Sequence, residues 1–309
     1  MDRNKIPIGF AISGVKGFSI LREALSNPEI NIKIVFQNKI LNISYNEIKE
    51  LCKKNRIKCI ETTRIENYKN IISKNNIKLL FVIGWRFKIH AEVYNLLDKG
   101  IIVFHDSLLP KYRGFSPLYW AIINGEKITG TTAFFIDENI DTGDIIYQKK
   151  IQINSSDDIN ILTRKVIDSY KYIFRKIIWL LKENKYLPRR VQNHRAATYC
   201  IWRIPEDARI DWKNNAEDIY NLIRASKEPF YPAYTLFQGK KLYILEAMVT
   251  RYRKYVGITP GKVENIEIGD GVCILAKDGL IKIKKVRLEG DEGEKSAWDV
   301  INKLNLILQ

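Results

Sequence analysis

Cysteine is scarce, with four residues in a chain of 309. Cys52, Cys59, Cys200 and Cys273 show no C-x-x-C spacing, which argues against a zinc site or a disulfide framework and for a reducing compartment. No metal is expected. Long apolar runs are lacking too. The longest, residues 79–85, falls far short of the ~20 residues that a helix needs to cross a bilayer. No membrane partner is expected, and with no signal peptide recognised the expected location is cytoplasmic. Acidic residues are the minority, 35 Asp and Glu against 51 Lys and Arg, for a formal charge of +16. That balance suits an anionic partner, although Lys is spread along the whole chain, as on solvated faces. A dinucleotide fingerprint is also missing. Gly9, Gly14 and Gly17 do not make G-x-G-x-x-G, and no acidic residue closes the second strand at 32–36.

What the chain does have is alternation. Residues 6–12 read as a strand, 14–17 as a turn and 18–25 as a helix, and the strand at 32–36 is followed by a helix over 45–54. A short strand near Cys59, a helix over 65–75 and the hydrophobic strand 79–83 continue the series. Strands alternating with helices predict an α/β fold, a Rossmann-like, doubly wound, mostly parallel sheet. An amphipathic helix over 159–184 carries apolar residues at three- and four-residue steps, with Ser155 and Asp158 placed as a capping box at its start. Residues 186–205 have linker composition. Beyond them come a short helix over 216–225 and Gly-broken apolar runs, which predict a small antiparallel β-barrel of OB-like type. The expected domains are 1–190, a linker at 191–204, and 205–309.

Residues 100–148 are densest in signals. The apolar run 100–104 reads as a buried parallel strand and delivers His105, Asp106 and Ser107 at its carboxyl end, where open α/β sheets keep their chemistry. An irregular Pro- and Gly-containing loop, a helical turn over 118–124 and a strand over 131–136 lead to the acidic turn Asp137-Glu-Asn-Ile-Asp-Thr-Gly143. The words SLLPKYRG, GEKITGTT and IDTGDII resemble the signature of the formyltransferases that use 10-formyltetrahydrofolate. ARIDW, residues 221–225, Pro232-Ala-Tyr-Thr and Pro260-Gly-Lys resemble the carboxyl-terminal barrel of methionyl-tRNA formyltransferases and some nucleotide-sugar N-formyltransferases.

The resemblance implies an enzyme with 10-formyltetrahydrofolate as donor co-substrate, and His105 and Asp141 as its catalytic pair. Formyl transfer to an amine passes through a tetrahedral oxyanion and moves protons between two nitrogens; an imidazole oriented by a carboxylate suits both tasks. The family pattern Asn-x-His-x-Ser-Leu-Leu-Pro is met at His105, but its Asn position holds Val103. Members that hydrolyse the formyl-folate also carry an aliphatic residue there. The folate pocket is expected from Ser107, Leu108, Leu109 and Pro110, the turn Asp137, Glu138, Asn139 and Ile140, and Phe87, Lys88 and Ile89. Arg113 pairs with a carboxylate or braces the loop, Asp106 has no derived role, and His90 and His194 read as surface residues. Methionyl-tRNA formyltransferases carry a long basic insertion after the second strand, whereas here 35–43 passes directly toward the next helix. Nucleic acid is therefore not the expected partner. The expected acceptor is the amine of a nucleotide-linked amino sugar, with methionyl-tRNA or water as alternatives and a non-catalytic RNA-binding barrel as the reading from another class. A homodimer is left open.

Overall fold

The computed structural model describes residues 5–39, 44–250 and 255–309. Through its first two thirds the chain runs β1 (Ile6–Ile12), α1 (Gly14–Leu25), β2 (Ile30–Gln37), α2 (Tyr45–Lys54), β3 (Lys58–Glu61), α3 (Lys69–Lys74), β4 (Leu79–Ile83), α4 (Ala91–Tyr94), β5 (Ile101–His105), β6 (Arg113–Gly114), α5 (Pro117–Ile123), β7 (Ile128–Phe135), β8 (Ile145–Gln152), α6 (Ile159–Lys182) and β9 (Tyr199–Cys200). It continues with α7 (Ala216–Ala225), β10 (Tyr234–Phe237), β11 (Lys240–Val249), β12 (Val263–Glu267), β13 (Gly271–Leu275), β14 (Leu280–Leu288), β15 (Lys295–Ser296) and α8 (Ala297–Val300). Two compact units result. One comprises Met1–Pro117, Ile128–Gln152 and Thr163–Cys200, the other Leu118–Lys127, Ile153–Leu162 and Ile201–Gln309.

The first unit is built on a seven-stranded sheet in the order β3-β2-β1-β4-β5-β7-β8. The five strands from β3 to β5 are parallel, while β7 and β8 add antiparallel partners at one end. All five residues of β4, Leu-Leu-Phe-Val-Ile, are buried, as a strand covered on both faces requires. Helix α1 starts at Gly14, inside the stretch expected to turn. Gly17 allows its approach, because a Cβ there would sit 2.7 Å from Ile12 Cβ. On the same face α6 lays down Phe174, with its ring 5.0 Å from that of Phe81 and 6.2 Å from that of Phe10. Truncating such a fully buried Phe to Ala costs about 3–5 kcal/mol. The expected capping box is not formed at α6: Asp158 alone accepts the Ile161 N–H, at 2.8 Å. The connection from β2 to α2 includes residues 40–43, which lie outside the described residues.

The second unit holds an antiparallel sheet in the order β10-β11-β14-β13-β12, with β15 on β14. Its inner face packs Leu242, Ile244, Ile274, Ile281 and Ile283 against Ile219 and Ile223 of α7. The expected barrel closure is not observed among the described residues, since β10 does not pair with β12. Residues 305–309 occupy the edges instead. Leu236 and Gln309 exchange backbone hydrogen bonds of 2.6 and 3.1 Å along β10, while Val263 donates to the Leu306 carbonyl at 2.8 Å along β12. Covered edges remove the template for further strand pairing without closing the sheet on itself. No helix among the described residues is long and apolar enough to cross a membrane.

Candidate active site

Strand β5 ends on His105, which is 8% exposed. Its Nε2 lies 2.7 Å from the Tyr112 carbonyl oxygen and its Nδ1 lies 3.5 Å from Asp141 Oδ2. A carbonyl can only accept, so Nε2 carries a proton. Nδ1, the other ring nitrogen, then faces a carboxylate across an ion-pair distance. Asp141 is itself fixed, its Oδ2 accepting the Gly114 N–H at 2.7 Å.

Both residues that address the imidazole hold left-handed backbone, Tyr112 with φ 58° and Asp141 with φ 56°. Such conformations cost about 1–3 kcal/mol each in residues other than glycine and persist only where the surroundings impose them. Two glycines of the sequence words, Gly114 and Gly143, supply the surroundings. At Gly114, φ is 93° and a Cβ would lie 2.5 Å from the Cys200 carbonyl, across the β6–β9 pair; at Gly143 a Cβ would collide with the Phe135 carbonyl.

Arg113 answers the question left by the sequence: it braces. Only 1% exposed, it donates through Nη2 and Nε to Gln192 Oε1 at 2.7 and 3.2 Å, and through Nη1 to the Tyr199 hydroxyl at 3.2 Å. His194 is exposed, as expected, but its Nδ1 lies 3.1 Å from Arg113 Nη2. Gln192 passes the constraint on, donating to the backbone carbonyls of Asp141 and Gly143 at 2.9 and 2.8 Å. The Asp-Thr-Gly turn is thereby held from behind. Cys200 shares this environment, and burial together with the Asp141 carboxylate pushes its thiol up to about 12.

The segments expected to line the donor pocket are shaped by their own hydrogen bonds. Thr132 Oγ1 donates to the Ser107 carbonyl at 2.6 Å and accepts from the Leu109 N–H at 3.1 Å, while Gln148 Nε2 donates to the Leu109 carbonyl at 2.8 Å. The Ser107 hydroxyl is spent on the Lys111 carbonyl, at 2.6 Å. Leu109 packs with Phe134, Ile145 and Val103, and Pro110 is half-buried. Leu108 lines a half-open pocket of about 500 Å³ together with Ile145, Ile146, Tyr147, Gln148 and Arg190. In the acidic turn Asp137 Oδ1 accepts from Thr142 Oγ1 at 2.6 Å, which leaves Glu138, Asn139 and Ile140 exposed, Ile140 by 61%. Phe87 meets Trp85 edge-on at 5.5 Å, Ile89 is buried, Lys88 is exposed, and the Trp85 Nε1 donor is buried without an acceptor.

Asp106 has an environment that the sequence did not foretell. It forms an ion pair with Lys16 of α1 and accepts from the Tyr170 hydroxyl of α6 at 2.5 Å. Burial first, and then the Asp106 carboxylate, hold the Tyr170 phenol well above its usual range. Among the described residues no group of three or more His, Cys, Asp or Glu is placed to hold a metal ion.

A family model for formyl transferases matches residues 39–178, and a model for their C-terminal domain matches residues 204–304. A methionyl-tRNA formyltransferase from Caldanaerobacter subterraneus subsp. tengcongensis is 32% identical over 253 residues, 81% of this chain and 80% of that protein. The chain belongs to the formyltransferase family. Two solved structures share the fold of this formyltransferase. An N-formyltransferase from Helicobacter canadensis, in complex with folinic acid and dTDP-3-aminofucose, covers 91% of this chain and 100% of its own, with TM-score 0.69 and 23% identity. HypX from Aquifex aeolicus, in complex with tetrahydrofolic acid, covers 95% of this chain and 46% of its own, with TM-score 0.65 and 17% identity. At these identities the likeness is one of fold.

Sequence reasoning missed Gln192, Tyr199, Thr132 and Gln148, the residues that hold the formyltransferase loops in place. A buried polar brace has no periodicity, and Gln192 lies in a stretch that reads as linker.

Proposed function

We propose that this formyltransferase moves the formyl group of 10-formyltetrahydrofolate to the amine of a nucleotide-linked amino sugar, with His105 and Asp141 as its acid and base. The observation that carries the chemistry is the His105 ring held between the Tyr112 carbonyl and the Asp141 carboxylate. When the acceptor amine attacks the formyl carbon, the new C–N bond forms as the carbonyl π pair moves to oxygen; the amine then loses one proton and N10 gains one as its bond to carbon breaks. His105 can donate to the oxyanion or the leaving nitrogen, and Asp141 can hold the imidazolium and take up the proton lost by the amine. The donor fits the segments around this pair: the unpartnered Trp85 indole N–H beside Phe87 offers a hydrogen bond to a heterocycle, and the exposed turn Glu138 to Ile140 offers backbone groups and an apolar cover. Ser107 to Pro110 supply the opposing wall through backbone fixed by Thr132 and Gln148.

The acceptor reading rests on the link from β2 to α2, residues 38–44, which contains one Lys and no long basic insertion. A second reading, methionyl-tRNA, is favoured by the 32% identity to a methionyl-tRNA formyltransferase. Val103 in place of an amide favours a third, hydrolysis. Release of tetrahydrofolate, measured with UDP- and dTDP-linked amino sugars, with charged initiator tRNA and with no acceptor, separates the three. Stimulation by a sugar nucleotide is expected; formylated methionyl-tRNA, or full turnover in water alone, overturns the assignment.

A further inference from the structure

In the second unit the outward face of the antiparallel sheet mixes aromatic rings with its cations, where a fully solvated face would be polar alone. Tyr234 of β10 pairs across the ladder with Tyr243 of β11, and Tyr243 pairs with Arg287 of β14, so the three side chains stand in one row on one face. Lys241, two residues before Tyr243, joins that face. The alternate residues Thr235, Leu242, Ile244 and Val286 point the other way and are buried. Over the row runs the strap Glu228-Pro-Phe-Tyr-Pro232, stiffened by its two prolines and carrying Tyr231 at the rim, 38% exposed. Strap and sheet border a half-open pocket of about 570 Å³, within the range of small-molecule pockets.

The lining chemistry narrows the occupant. Three tyrosine rings, those of Tyr231, Tyr234 and Tyr243, border the space, and two cations sit over aromatic faces: Lys241 Nζ is 4.5 Å from the centroid of Tyr234 and the Arg287 guanidinium 5.3 Å from that of Tyr243. Lys241 pairs with no carboxylate among the described residues. Arg287 pairs with Glu228 of the strap at 2.5 Å, and that carboxylate is 57% exposed, free to turn away when a competing anion arrives. Rings beside cations suit a planar heterocycle carrying negative charge. A pocket of this volume, bordered by the strap on one side, fits one nucleotide better than a strand. We propose that this pocket binds a nucleoside diphosphate, with the base stacked on Tyr243 and the phosphates held by Lys241 and Arg287. This site does not depend on the acceptor assigned above.

Equilibrium binding and hydrogen exchange on the full chain, with UDP, uridine and inorganic pyrophosphate as probes, test it. UDP is expected to bind in the micromolar to low millimolar range and to slow exchange in 228–243 and 280–288. Arg287→Ala and Tyr243→Ala each weaken UDP at least tenfold, Tyr243→Phe retains binding within about threefold because the ring remains, and His105→Ala leaves the protection of these segments unchanged. Thermal melting identifies any variant that has failed to fold, and Tyr243→Phe then carries the test. Equal binding of pyrophosphate and UDP, protection elsewhere only, or tighter binding of a single-stranded oligouridine than of UDP overturns the proposal. Protection of 228–243 without formylation of any sugar nucleotide leaves this site standing and removes the acceptor reading; the converse does the reverse.

Discussion

His105 and Asp106 leave β5 on opposite faces of the sheet. On one side, His105 meets a carbonyl and a carboxylate that are themselves fixed, and neither contact removes its capacity to exchange a proton. On the other, Asp106 is consumed: an ammonium and a buried phenol occupy both its oxygens, beneath the Phe104 ring that also packs on Tyr170, 4.9 Å away. Adjacent residues on one strand end thus divide into a group kept available and a group locked away. What separates them is the neighbour supplied by each face, a left-handed turn for His105 and two helices for Asp106.

The strongest way to break this contrast is to remove the available pair. His105→Ala and Asp141→Ala are each expected to lower turnover by about 10²–10⁴, the range for a lost acid-base group, with circular dichroism unchanged. Near-normal turnover in either would place the chemistry elsewhere. Next comes the brace behind the turn. Gln192→Ala frees the Asp141 carbonyl and leaves Arg113 without its main acceptor, so turnover should fall about tenfold through a displaced carboxylate, and stability by about 1–3 kcal/mol. Steady-state kinetics and urea unfolding read the two effects separately.

The locked side makes the opposite prediction. Tyr170→Phe should leave turnover within a few-fold while changing the dependence of stability on pH. The folded phenol titrates above its unfolded value, so its contribution is fully present below about pH 10 and declines as pH rises, when the unfolded chain ionises and the folded one does not. Wild type should therefore lose up to about 1.4 kcal/mol per pH unit more than Tyr170→Phe above pH 10. Parallel profiles would show that the phenol is not held as described. The smallest effect is expected at Val103, which shares a face with His105. Val103→Asn should raise single-turnover transfer a few-fold by adding an oxyanion donor, less than the about 2.7–4 kcal/mol that a preorganised donor supplies, because the cluster of Leu109, Phe134 and Ile145 was packed around an isopropyl group. No gain, with donor binding retained, would mean that the site was rebuilt around valine.

Much of this was legible because it is periodic or verbal. β1, β4, α2 and α7 fall where their apolar spacing predicts, and the words around His105 and Asp141 bring the two together as their family pattern implies. β8 went unread because Ile145-Ile-Tyr-Gln-Lys-Lys-Ile-Gln152 is an edge strand in which lysines interrupt the alternation, and β12 because Val-Glu-Asn-Ile-Glu carries only two strong strand formers. The open sheet of the second unit was invisible for a different reason. Edge coverage by 305–309 is a long-range event, and strand-length runs with turns between them look alike whether or not the ladder closes.

The pairing of β6 with β9 has a bearing on how this fold can be recombined. Arg113 and Gly114 lie against Tyr199 and Cys200, and Gln192 clasps the Asp141 turn, so the stretch that looks like a tether is stitched into the first unit. Exchange of carboxyl-terminal halves between relatives would then succeed only with the crossover placed after Cys200. A junction ten residues earlier would import a foreign clasp, and the hybrid would inherit a correctly folded sheet with a slack carboxylate.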